Sequence, residues 1–139
     1  EFVHNEIGYN YRMPNINAAL GCAQMERLND FLLIKSQLAN QWNTFFNERD
    51  VEFVEAIAGN NANHWLNTII LDSREDRDEF LRITNENNVM TRPVWTLMPK
   101  LPMFKDCLTD SLENSILLED RIVNIPSSVP DKALKKTNK

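Results

Sequence analysis

The sequence predicts an α+β fold: a long N-terminal helix pair followed by a small three-stranded sheet covered by helices. Three observations predict it. Apolar residues recur at steps of three and four from Ile16 to Phe45, the period of an amphipathic helix. Short β-branched and aromatic stretches at 65–71, 89–94 and 122–125 read as strands. Helical patterns at 74–87 and 114–120 fall between those strands, which gives the order β–α–β–α–β and a small layered domain.

Each element has a local reason. Residues 1–13, EFVHNEIGYNYRM, lack a helical period and contain Gly8 and Asn10, so they form a loop. Pro14 stands where a helix opens, since proline is tolerated in the first turn. The apolar stripe runs Ile16, Ala19, Leu20, Ala23, then Leu28, Phe31, Ile34, Leu38, Trp42 and Phe45. The step of five after Ala23, with Asn29-Asp30 behind it, predicts a break or bend near 29. Val51–Val54 alternates apolar and acidic like a short half-exposed strand, and Gly59-Asn60-Asn61 turns the chain. WLNTIIL, 65–71, reads as a buried strand with His64 at its edge. Asp72-Ser73 caps a helix with Phe80, Leu81 and Ile83 facing inward, and Asn87-Asn88 ends it. Pro99 and Pro102 keep 95–110 irregular. Pro126-Ser127-Ser128 turns the chain after the last strand, and Pro130 opens a final helix that runs into a frayed basic tail.

Composition narrows the function classes. At 139 residues the chain fits one ordinary domain or a piece of a larger protein. It is 42% hydrophobic and 25% charged, which is globular rather than disordered. A formal net charge of −5 disfavours generic binding to nucleic acid or to an anionic membrane surface. No apolar run approaches bilayer length. Cys22 and Cys107 make neither a disulfide framework nor a zinc spacing; Cys22 reads as a small buried hydrophobe, and the usage fits a reducing, cytoplasmic setting. The chain opens on Glu1 rather than Met, with nothing like a targeting segment, which suggests a longer parent.

No catalytic motif is complete. The chain has no Gly-rich phosphate loop, no G-x-S-x-G and no H-E-x-x-H. His4 and His64 lie far apart, without cysteine or carboxylate at metal-ligand spacing, so no metal site is predicted. Residues 75–79, EDRDE, read as a solvated first helical turn whose acids complement the helix dipole. Tyr9, Asn10, Tyr11 and Arg12 stand just before a helix N-terminus, where an amide, a guanidinium and free N–H groups favour an anion.

The string GYNYRMPNINAALGCAQMERL, 8–28, resembles the signature segment of the DegT/DnrJ/EryC1/StrS sugar aminotransferases, with Gly8, Asn10, Tyr11, Arg12, Met13, Ala18, Ala19, Gly21, Gln24 and Leu28 in register. The resemblance continues in NHWLNTIIL (63–71), TRPVWTLMPKLPMF (91–104) and NIPSS (124–128). It implies the small C-terminal domain of fold-type I pyridoxal-phosphate aminotransferases. Residues 1–13 would be the end of an active-site loop, 14–48 the linking helices, 49–131 the small α+β domain and 132–139 the tail. The parent would move an amino group from an amino acid, glutamate by expectation, to a keto-sugar nucleotide, with 4-aminases as the closest look-alikes.

In such dimers the active sites are shared. Asn10 would bond the pyridoxal phosphate held by the partner subunit, with Tyr9 and Arg12 beside it; His4, Arg92 and Trp95 would face substrate. The family's Schiff-base lysine would lie upstream. None of the seven lysines here stands in a comparable setting, four of them lying in the tail, so no catalytic residue is assigned and the chain alone is expected to bind no cofactor and to be inactive. The chain departs from the family pattern at Pro99 and Phe104, where many members carry histidine and tyrosine, which weakens the case for a polar role of the 95–104 loop. A second expectation is a non-enzymatic module that self-associates through Tyr9, Tyr11 and the apolar face of the first helix.

Overall fold

The structure, a computed structural model, describes residues 5–9 and 12–130. His4, Asn10, Tyr11 and the expected last helix and basic tail lie outside the described residues. Four α-helices are described, α1 (Asn15–Met25), α2 (Leu28–Asn47), α3 (Arg74–Glu86) and α4 (Glu113–Arg121). The strands are β1 (Glu52–Phe53), β2 (Asn67–Ile70), β3 (Arg92–Pro93) and β4 (Ile122–Ile125).

The α+β class holds, but the sheet has four strands rather than three. Its order is β1-β2-β4-β3, every neighbouring pair antiparallel. The added strand is the 51–54 stretch: Phe53 sits opposite Ile69, and Val54 N–H donates to the Thr68 carbonyl at 2.9 Å. Val51 and Phe53 pack against the core, so the alternation that marked this stretch as half-exposed also docks it on the sheet edge.

Register explains the core. Ile69 is paired with Val123, Asn67 with Ile125, and these positions alternate with half-exposed ones along β2 and β4. Ile69 and Val123 are wholly buried, and with Ile125 and Phe46 they form the core cluster. Trp42 of α2 and Phe80 and Leu81 of α3 pack against it. The helices therefore cover one face. The other face carries Thr68, Asn124 and Arg92, which share it because Asn124 is the cross-strand partner of both.

Several expectations are corrected in detail. The helix break falls at Glu26-Arg27, before Asn29; Asp30 sits in the first turn of α2, where its charge suits the dipole and pairs with Arg27 at 3.6 Å. Phe46, not Phe45, is the core residue of α2, in step with Ala39 and Trp42. Phe45 is exposed and carries the Arg49 guanidinium 3.7 Å above its ring. Ile83 is exposed on α3, while Phe80 and Leu81 face inward as expected. Cys22 is exposed rather than buried, because α1 buries none of its residues in this chain. Trp65 lies outside β2 and is 67% exposed.

The cap of α3 forms as its sequence predicts. The Ser73 hydroxyl accepts from the Asp76 N–H at 3.1 Å and donates to the Asp76 carboxylate at 2.6 Å. Residues 95–110 contain two 3₁₀ turns, Met98–Lys100 and Pro102–Phe104, with Pro99 second in the one and Pro102 first in the other. Among the described residues no helix is long and apolar enough to cross a membrane, and no three metal-ligating side chains come together.

Candidate ligand groove and the loop before the first helix

Two places hold the site residues that fall among the described residues, Tyr9 and Arg12 at one and Arg92 and Trp95 at the other. The first is the approach to α1. Tyr9 and Arg12 are both exposed there. Pro14 occupies the N-cap of α1, which therefore lacks a side-chain cap, and the first turn carries no acid. A proline cap offers no oxygen side chain to the first helical N–H groups, the kind of helix end that suits an anion. Ala18 N–H closes the first turn on the Pro14 carbonyl at 3.0 Å.

The second place is a groove of about 860 Å³ beside β3 and β4, lined also by Arg74, Arg77 and Asn85 of α3 and by Glu119 and Asp120 of α4. Arg92 and Trp95 both line it, so the structure brings together two of the residues expected to face substrate. Tyr9 and Arg12 do not line it. Arg92 is exposed on β3, with Nη2 3.5 Å from the Met90 sulfur. Trp95 is 49% exposed, and its indole lies 6.1 Å from that of Trp65, the planes tilted by 33°.

Trp65 is the residue that sequence reasoning missed. Its neighbourhood explains both the error and the exposure. His64 takes a left-handed conformation, φ 49°, which costs a non-glycine residue about 1–2 kcal/mol. That turn lifts residue 65 out of the strand that begins at Asn67. Two bonds then fix it: Trp65 N–H donates to Asn63 Oδ1 at 3.0 Å, and the Trp65 carbonyl accepts from the Ser127 hydroxyl at 2.7 Å. The Asn63-His64 pair was the available signal, since both residue types tolerate turn geometry better than most.

The loop that carries Trp95 is fixed from α4. Glu119, nearly buried, accepts from Leu97 N–H at 2.9 Å and pairs with Lys100. The Glu119 carbonyl accepts from Arg77 Nη1 at 2.7 Å, and Arg77 also pairs with Asp78 at 2.7 Å. Arg77 thus corrects the reading of 75–79 as a solvated turn: Glu75, Asp76, Asp78 and Glu79 are exposed, but the Arg77 side chain is buried between α3 and α4. Burial of a guanidinium is tolerable there because a carboxylate and a carbonyl satisfy it.

The 124–128 segment is the seam of the fold. Thr68 Oγ1 donates to Asn124 Oδ1 at 3.0 Å. Trp42 Nε1 and Asn67 Nδ2 both donate to the Pro126 carbonyl, at 2.9 and 3.3 Å, and Lys35 Nζ donates to the Ser127 carbonyl at 2.5 Å. Partial burial lowers the Lys35 pKa from its ordinary range. These bonds tie α2 to the end of β4.

The DegT/DnrJ/EryC1/StrS aminotransferase family model matches residues 1–133. EpsN of Bacillus subtilis (strain 168), named as a candidate pyridoxal phosphate-dependent aminotransferase, is 30% identical over 115 residues, covering 82% of this chain and 30% of that protein. The GDP-perosamine synthase of Escherichia coli O157:H7 is 30% identical over 130 residues, covering 91% of this chain and 34% of that protein. A solved DegT/DnrJ/EryC1/StrS aminotransferase from Brucella abortus superposes with a TM-score of 0.77 at 19% identity, over 98% of this chain and 37% of that one. The chain thus spans about a third of the length of these proteins.

Proposed function

The chain belongs to the DegT/DnrJ/EryC1/StrS aminotransferase family, and from that premise we propose that it is the C-terminal part of a pyridoxal-phosphate-dependent enzyme that aminates a keto-sugar nucleotide. The observation that carries the reading is one of extent: the family match runs through residues 1–133, yet the chain is about a third of its relatives' length. On this reading residues 1–13 end an active-site loop, 14–48 link, and 49–131 form the small domain. A relative named as a GDP-perosamine synthase supports a nucleotide-sugar substrate. An amino acid, glutamate by preference, supplies the amino group. Two exposed unpaired cysteines support a reducing, cytoplasmic setting.

The residues present fit the cofactor's phosphate. Arg12 and the uncapped N-terminus of α1 offer positive charge and N–H donors, and Asn10 supplies a neutral donor two residues earlier. Asn10, with Tyr9 and Arg12, holds the phosphate of the cofactor bound by the partner subunit of a homodimer. Bound pyridoxal phosphate supplies the electron sink for amino transfer. Arg92 and Trp95 present a guanidinium and a ring face to the substrate from the groove, and His4 approaches it from the loop. No residue of this chain is assigned to the chemistry. Lys35 bonds the Ser127 carbonyl and Lys100 pairs with Glu119, so neither is placed to hold the cofactor covalently.

The test is borohydride reduction of the chain with pyridoxal phosphate, followed by peptide mapping. The reading predicts no lysine labelled stoichiometrically within residues 1–139. One defined, fully labelled lysine contradicts it.

The exposure of α1 favours a second reading, a stand-alone module that self-associates. Met13, Ile16, Leu20 and Met25 are all at least 61% exposed, an apolar surface that a lone soluble domain rarely leaves open. Light scattering separates the cases for the isolated chain: a dimer or higher oligomer that Ile16→Glu with Leu20→Glu reduces to monomer supports this face as an association surface, and a clean monomer of the unaltered chain opposes it.

A further inference from the structure

We propose that Glu119 is the positioning residue of the groove: its carboxylate latches the 95–100 strap to α4 and so sets where Trp95 stands against Trp65. The proposal rests on the reading of the groove as the substrate side only for what enters it; the latch itself is tested without a ligand. The strap is held at its ends by β3, which pairs with β4, and by Leu101, which is buried. Pro99 removes one backbone donor between those ends. Among the described residues, the hydrogen bonds that join 95–100 to another element both end on the Glu119 carboxylate. Leu97 N–H donates to Oε1 at 2.9 Å, and Lys100 Nζ donates to Oε2.

Burial gives the latch its strength. The Glu119 side chain is 11% exposed, so its charge depends on these two donors in place of water. The strap supplies Trp95, Thr96 and Lys100 to the groove wall. Trp95 is itself half exposed, and its ring contact is with Trp65, 6.1 Å between centroids. An exposed ring contact is a modest restraint, so the bond at Leu97, two residues along, carries the placement. Arg77 takes the Glu119 backbone carbonyl rather than its carboxylate. The tie between α3 and α4 therefore survives a change of the Glu119 side chain, and the latch can be removed without dismantling the helices behind the groove.

The experiment measures hydrogen exchange at the Leu97 amide and the circular dichroism of the coupled indoles in the full chain. Trp42, the third tryptophan, contacts Phe45 and Phe46, so an indole–indole signal belongs to Trp65 and Trp95, and Trp65→Phe abolishes it as a control. The expected result for Glu119→Ala is about a tenfold or greater loss of Leu97 protection, with the coupled signal weakened. Glu119→Gln keeps an acceptor oxygen and retains most of both. Lys100→Met removes the ion pair alone and leaves the Leu97 amide protected. The core amides of Ile69 and Val123 keep their protection throughout, which separates a local latch from a general loss of stability. Three results overturn the latch: Leu97 protection and indole signal unchanged in Glu119→Ala, Glu119→Gln as damaging as Glu119→Ala, or protection falling equally at Leu97, Ile69 and Val123. Failure of the aminotransferase reading shows separately, as a labelled lysine in the borohydride experiment.

Discussion

Lys35 shows how one residue reports on the seam between α2 and the end of β4. Its ammonium donates to the Ser127 carbonyl, and burial lowers its pKa in the folded chain. Between the folded and unfolded values the unfolded chain binds more protons, so stability rises with pH across that window and is complete above the unfolded value. Denaturation at a series of alkaline pH values is expected to show this rise, and Lys35→Met to remove it. A Lys35 midpoint at or above the ordinary lysine value contradicts the burial. Nothing in the spacing around Lys35 announces a bond to a carbonyl 92 positions away, and the same is true of Arg77 and Glu119. Charges in a local acidic run look solvated from sequence. Whether one turns inward depends on which carbonyl the fold brings to it. Arg92 and Trp95 were legible as groove residues because their segment resembles a family pattern. Trp65 was not, because a left-handed residue at His64 lifts it from a strand to which its composition assigns it.

Among the elements, α3 is the one most fully written in its sequence. Ser73 caps it, Asn87-Asn88 ends it, and Phe80 and Leu81 face the core as their spacing requires. Its end depends on Asn88, at φ 62°, with Val89 N–H bonding the Thr84 carbonyl at 2.8 Å and Asn88 N–H that of Asn85 at 3.1 Å. Asn88→Val is expected to lower stability by about 1–2 kcal/mol, because a β-branched residue resists the left-handed region. Asn88→Gly should leave stability unchanged or raise it by about 0.5 kcal/mol. Chemical denaturation measures both, and equal effects of the two substitutions would contradict this account of the helix end. The sheet was less legible in its extent. The strand read over 89–94 is reduced to Arg92–Pro93, and the alternating 51–54 stretch joins the sheet as β1, with Val51 and Phe53 packed against the core.

For the whole molecule, the contrast is between a small domain with a closed core and a first helix with none. Phe46, Ile69, Val123 and Ile125 close the core, whereas α1 buries no residue and exposes Ile16 and Leu20. Helical periodicity reveals that α1 has an apolar face; it does not say what covers it. In the aminotransferase reading the covering surface belongs to a large domain that also carries the cofactor's lysine, with Asn10, Tyr9 and Arg12 completing a partner's site. The measurement that tests this most directly is the DNA sequence immediately upstream of the Glu1 codon in its source. The account predicts an open frame that runs back through a larger domain containing a lysine for pyridoxal phosphate. A start codon just upstream, or a stop codon interrupting the frame, would contradict it and leave the family resemblance as ancestry without the activity.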